Sequence, residues 1–150
     1  MMSLQEMSDR LEIQDLIARY AYAIDDCDFD ALDNVFTPDA IIDYHELGGS
    51  VGTLSETKAF LAKSLPNFPG FQHMCATTKI DFDGDTAKTR TILFNPMVAK
   101  HEGKEQVFFV GLWYEDEMVR TPEGWRIRKR YERASWNYNV PPGLVPDVER

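Results

Sequence analysis

From Gln72 onward the chain consists of strand-type runs separated only by short turn signals. Asp83-Gly84, Glu102-Gly103 and Pro122-Glu123-Gly124 divide it into candidate strands Gln72–Phe82, Thr86–Lys100, Gln106–Met118 and Trp125–Tyr138. Links this short leave no room for crossover helices, so neighbouring strands run antiparallel. Pro96 interrupts the second strand and marks a bulge or an edge. Phe108 to Tyr114 is apolar on both faces, which requires both faces of the sheet to be covered there.

The first half has a different period. Leu4 to Asp26 contains no Gly or Pro, and Ser3 or Ser8 serves as its N-cap. Ile13, Ile17, Tyr20 and Ile24 recur at helical spacing, with Glu12, Asp15, Arg19 and Asp26 on the opposite, solvated side. Asp28 caps a second short helix, Phe29–Phe36, which Thr37-Pro38 ends. Ala40–Tyr44 reads as a short strand, Gly48, Gly49 and Gly52 as a loop, and Ser55 as the cap of a third helix ending near Pro66. Helices followed by antiparallel strands define an α+β chain. At 150 residues, with no repeat or linker, residues 1–150 read as one domain, with a core over about 8–138 and an irregular, proline-containing tail over 139–150. That tail acts as a flap, a partner contact or a loose end.

The formal charge of −9 argues against nucleic acid and anionic membranes as partners. The basic cluster Arg126, Arg128, Lys129, Arg130 and Arg133 is interleaved with acidic residues and reads as a solvated strand face. Two cysteines, Cys27 and Cys75, make neither a disulfide framework nor a zinc site. With no secretory leader pattern at the start, the expected location is cytoplasmic. No metal-ligand spacing, dinucleotide fingerprint, P-loop or nucleophile elbow occurs, which favours acid–base chemistry without a cofactor.

Two residues stand out for such chemistry. Asp25 sits near the C-terminal end of the first helix, where the macrodipole disfavours a carboxylate, and on the border of the apolar surface. It has two readings: a carboxylate bonded to the backbone amides of Cys27–Phe29, or one with a side-chain partner. His73 opens a long strand, on the same parity as Cys75, Thr77 and Lys79, and reads as a structural histidine or as a proton carrier. His101 lies in a hairpin tip, and His45 ends a short strand. Tyr44, at a strand end, is a rim residue or a donor to a substrate oxygen. Arg130 and Glu132, two apart on the last strand, share a face, where they pair with each other or hold a polar substrate.

The stretch Arg10 to Ile17 with Tyr22, Asp25, Phe29 to Leu32 and Phe36 to Ala40, followed by Gln72-His73, Leu112-Trp113-Tyr114 and Gly124 to Ile127, resembles the SnoaL-like branch of the nuclear transport factor 2 superfamily. The resemblance implies a cone: helices packed on a curved, mainly antiparallel sheet that encloses a pocket. Two members are closest in pattern, scytalone dehydratase and lindane dehydrochlorinase. Both use a histidine–aspartate dyad, matched here by His73 and Asp25. Tyr44 matches one of the dehydratase's two water-holding tyrosines, while Ile24 stands in the place of the other. A histidine that the dehydratase carries on the strand matching Gln106–Trp113 has no counterpart. Arg130 resembles the dehydrochlorinase's active-site arginine, and Tyr20 replaces its helix lysine.

The resemblance therefore implies a dehydratase-like lyase that takes a C–H proton from a small cyclic or aromatic substrate. Its alternatives are an isomerase or cyclase of a polyketide- or steroid-like ketone, and a non-catalytic binding or assembly module in which Asp25 and His73 do not touch. Expected site residues are His73, Asp25 and Tyr44 for catalysis and Tyr20, Tyr22, Trp113, Arg130 and Glu132 for binding, with Phe94 and Phe109 as further pocket walls. No cofactor or metal is expected. A homo-oligomer is, with a trimer ahead of a dimer.

Overall fold

The structure, a computed structural model, describes residues 1–148. Helix α1 (Leu4–Asp25) starts at Ser3, whose hydroxyl accepts the Glu6 N–H at 3.1 Å. Its stripe of Ile13, Leu16, Ile17, Tyr20 and Ile24 is fully buried. Asp15 and Arg19 pair on the solvent side as the period requires. Glu12 departs from that solvated face: it is half-buried and accepts the Trp125 N–H at 2.8 Å. Cys27 takes a left-handed φ of 55° just past the helix. Asp28 then caps a 3₁₀ turn over Phe29–Asn34, shorter and tighter than the predicted helix.

Strand β1 (Phe36–Asp43) begins where that helix was expected to end. Pro38 sits inside the register break of β1 between Phe36 and Ile41, as a residue without an N–H must. Tyr44 leads into a turn closed by Gly48, whose φ of 79° suits glycine. After β2 (Val51–Thr53), helix α2 (Leu54–Ser64) is capped by Thr53, not Ser55. Glu56 is the deciding residue, because it completes a capping box with Thr53.

The remaining strands are β3 (Gly70–Phe71), β4 (Met74–Asp83), β5 (Thr86–His101), β6 (Lys104–Thr121) and β7 (Gly124–Tyr138). Sheet order is β2-β1-β7-β6-β5, with β4 and β3 paired in succession along the far edge of β5. Among the described residues, β1 and β7 form the only parallel pair. The helices pack on a large, curved, unclosed sheet. The core lies between them, on the face of β6 that carries Phe108, Val110, Leu112 and Tyr114.

One ion pair ties the start of α1 to the sheet. Asp9 accepts two bonds from Arg120 at 2.6 and 2.7 Å and a third from Trp125 Nε1–H at 3.1 Å. The outer face of the sheet carries stacked rings, with Phe94 on Phe109 and on Trp136, and Phe109 on Tyr138. Gly111 lies under the Trp136 indole, where a Cβ would collide with the ring. Of the predicted irregular tail, Leu144 and Val145 line the cavity described below, while Glu149 and Arg150 lie outside the described residues.

Candidate active site

Asp25 has a side-chain partner. Its Oδ1 lies 2.7 Å from His73 Nδ1, and both carboxylate oxygens accept the His73 backbone N–H, at 3.1 and 3.0 Å. A carboxylate that already accepts from that N–H can only accept from the ring too, so Nδ1 carries the proton. The other ring nitrogen, Nε2, is not engaged by Asp25. The two side chains are 22% and 10% exposed, which shields the pair without sealing it. Asn95 fixes the same segment from β5: it is buried, and its Nδ2–H donates to the Gln72 carbonyl at 2.8 Å. The predicted single strand Gln72–Phe82 is broken here. β3 ends at Phe71, β4 starts at Met74, and a register shift between Cys75 and Thr78 reverses the parity. His73 thus faces inward although Thr77 and Lys79, predicted on its face, are exposed. Burial pushes the neighbouring Cys75 thiol up to about 11, so it is a protonated filler rather than a nucleophile.

A second cluster is built of phenols. Tyr20 is on α1, five residues before Asp25, or about 7.5 Å along the helix axis. Its hydroxyl lies 2.7 Å from that of Tyr44. Its ring meets Tyr114 edge-on at 5.4 Å. Burial holds all three phenols above their ordinary pKa, so each is a neutral O–H donor. Arg130 lies behind them, 0% exposed. Its guanidinium is 4.0 Å from the Tyr20 ring and 3.9 Å from the Tyr114 ring. It makes two parallel bonds of 2.8 Å to Asp116 on β6. A buried arginine needs such a fork of acceptors, and the rings supply cation–π contact on its faces.

Both clusters line one cavity of about 370 Å³, whose otherwise apolar walls include His73, Tyr20, Tyr44, Tyr114, Asn95 and Glu132, with Ser64 and Asn67 from the α2 end. That volume suits a small molecule. Glu132 is half-buried, and its carboxyl is pushed up to about 8 by burial, against the pull of Arg130 and with the help of the Asp43 and Glu46 carboxylates. Among the described residues, no group of three His, Cys, Asp or Glu side chains is placed to hold a metal ion.

Three predicted binding residues are not in the cavity wall. Tyr22 is 71% exposed, because two residues along a helix from Tyr20 is a turn of about 200°. Trp113 points to the outer face, under the Arg90 guanidinium at 4.2 Å, since Leu112 and Tyr114 occupy the inner one. Phe94 and Phe109 are outer-face residues for the same reason. Arg130 is neither part of a solvated strand face nor paired with Glu132. It faces Asp116 in the strand register and is shut behind the phenols. Asn95 and Tyr114 were missed. Asn95 offered one signal, a polar residue interrupting an apolar run just before Pro96. The remaining histidines are peripheral. His45 bonds Asp43 near the surface, and His101 lies near Glu102 at a hairpin tip.

Residues 5–131 match the SnoaL-like domain family. An uncharacterized protein of Mycobacterium tuberculosis is 53% identical over 132 residues, spanning 88% of this chain and 89% of that protein. A solved structure from Novosphingobium aromaticivorans, assigned provisionally as a scytalone dehydratase, is 18% identical with a TM-score of 0.79, covering 96% of this chain and 95% of that one. The type 3 hexachlorocyclohexane dehydrochlorinase of Novosphingobium barchaimii is 17% identical with a TM-score of 0.77, covering 98% of each chain. At these identities the likeness is one of fold. The match over residues 5–131 places the chain in the SnoaL-like domain family, and its fold is the one these solved structures share.

Proposed function

We propose that the chain is a lyase that needs no cofactor and removes a C–H proton from a small cyclic or aromatic ketone, expelling a group from the neighbouring carbon. The observation that carries this reading is the 2.7 Å contact of Asp25 with His73 Nδ1 at the wall of a cavity that also holds the Tyr20–Tyr44 hydroxyl pair. His73 Nε2 takes the proton. Asp25 holds the tautomer and stabilises the imidazolium. Tyr44, with Tyr20 bonded to it, donates to the carbonyl oxygen as enolate charge develops. The scytalone dehydratase-type and dehydrochlorinase structures of the same fold support elimination as the reaction class. A non-catalytic module would not need the pair in contact. The outer-face stack, in which Trp136 and Tyr138 are exposed, supports a homo-oligomer, and the family resemblance favours a trimer ahead of a dimer, which sedimentation velocity reads.

The test is α-proton exchange and elimination on a panel of cyclic ketones in D₂O, followed by NMR. His73→Ala should lower both by about 10²–10⁴ with an unchanged melting curve. A His73→Ala chain with full activity refutes the reading. Product analysis separates elimination, which releases water or an anion, from isomerisation, which releases neither.

A further inference from the structure

Resting on the elimination reading above, we propose that Glu132 is the acid of this site: its carboxyl stands as the neutral acid and gives its proton to a departing substrate oxygen, so the leaving group is hydroxyl and not halide.

Among the described residues Glu132 supplies the only carboxyl lining the cavity. Its acidic neighbours are all engaged. Asp116 is bonded by Arg130, Asp43 by His45, and Glu46 by the Tyr131 hydroxyl and the Ala134 N–H. No side chain or backbone donor among the described residues holds Glu132. Directly across the strand register stands Tyr114, also a wall of the cavity, whose fully buried hydroxyl has no partner. The buried Tyr114 hydroxyl and the unheld Glu132 carboxyl give the cavity wall two polar groups that a ligand or water can complete. The groups facing Glu132 are Arg130 on β7, Tyr114 and Asp116 on β6, Tyr20 on α1, and Asp43, Tyr44 and Glu46 on and after β1. Arg130 already has its counter-charge in Asp116, so burial and two nearby carboxylates prevail and favour the protonated form.

Chloride departs as a stable anion and needs no proton, whereas hydroxide is a strong base and leaves only when an acid protonates it. The phenols, held above their ordinary acidity range, are poor proton donors, whereas a carboxyl raised to about 8 matches the task at neutral pH. In the step, the C–H pair forms the new C=C bond and its proton goes to His73 Nε2. The C–O bond breaks with both electrons on oxygen, and the Glu132 proton makes it water. The imidazolium proton then returns to the Glu132 carboxylate through water entering as product leaves. The substrate is thus a β-hydroxy carbonyl compound.

Two measurements test this. The first is carboxyl ¹³C NMR of glutamate-labelled protein, with the resonance assigned by its absence from Glu132→Gln. A midpoint near 8 is expected, and titration in the ordinary glutamate range overturns the proposal. The second compares a β-hydroxy cyclohexanone with its acetate ester, which share the α-proton and the enone product and differ in the leaving group. In Glu132→Gln the hydroxy-to-acetoxy rate ratio should fall by about 10² or more, and Glu132→Asp, which keeps a carboxyl, should recover part of it. An unchanged ratio overturns the acid role. A wild-type chain that turns over neither probe overturns the elimination reading instead, and the NMR midpoint still decides the state of Glu132.

Discussion

Replacing Asp25 with Asn keeps the shape of the His73 anchor and should reverse the tautomer of its ring. Asp25 Oδ1 lies 2.7 Å from Nδ1 and 3.1 Å from the His73 backbone nitrogen, and Oδ2 lies 3.0 Å from that nitrogen. An asparagine has one acceptor and one donor at these two places. With its oxygen toward the ring, that oxygen can still accept the backbone N–H at 3.1 Å, but the NH₂ is left without an acceptor, 3.0 Å from the same N–H. Flipped, the oxygen accepts the backbone N–H and the NH₂ donates to Nδ1. The flipped state leaves nothing unpaired, so it prevails, and the ring proton moves to Nε2. Nε2 is then no longer a base. The fold loses one charge-assisted contact to a half-buried group, about 1 kcal/mol. The reaction loses both the tautomer and the imidazolium's counter-charge, about 10⁴ in rate or about 5.4 kcal/mol of barrier. Long-range ¹⁵N–¹H correlation spectra of His73 read the tautomer without any substrate, and urea unfolding reads the stability. If His73 in Asp25→Asn keeps its proton on Nδ1, or if the variant retains more than about a tenth of the wild-type rate, the reasoning is refuted.

Two further outcomes follow from the ion pairs. Asp116→Asn should destabilise the chain by about 3–5 kcal/mol in urea unfolding, because it leaves the fully buried Arg130 charge without a counter-charge; the joint replacement Asp116→Leu with Arg130→Met should cost far less than the sum of the two single changes. The Arg120 hydrogen bonds hold the Asp9 carboxyl well below the usual carboxylate range. A depressed folded pKa contributes stability that is present above the unfolded value of 3.8 and is lost as pH falls below it, so thermal melts of Asp9→Asn should show a shallower loss below about pH 4 than the wild type. An equal slope in the two chains would count against this pair as an acid-sensitive tie.

Much of the architecture was legible in the linear chain. Turn chemistry at Asp83-Gly84 and Glu102-Gly103 and the helical stripe from Ile13 to Ile24 are local signals, and the corresponding elements stand within a few residues of their predicted ends. Errors gathered where a local rule had a competitor. Asp28 was rightly read as a cap, yet of a 3₁₀ turn, and Thr53 displaced Ser55 because Glu56 could answer only one of them. For the site, spacing alone left Asp25 and His73 with two readings each, and only the family resemblance joined them. They are 48 residues apart, a contact that no local period encodes.

What the sequence determined by itself was therefore the kind and order of elements, the acidic surface and, through resemblance, the identity of the His–Asp pair. The tertiary structure alone decided which side chains share the cavity. Strand parity has a period of two, so one extra residue inverts it. The register shifts between Cys75 and Thr78 and between Glu117 and Met118 do so beside His73 and ahead of Arg130. Where both faces of a strand are apolar, as from Phe108 to Tyr114, composition cannot choose the inner one, and Trp113 was assigned to the wrong side. The same closure of the sheet on α1 buried Arg130 behind the phenols and left Glu132 in the cavity wall with no protein partner among the described residues. Burial and partnership belong to the folded surroundings of a residue and not to its neighbours in the chain.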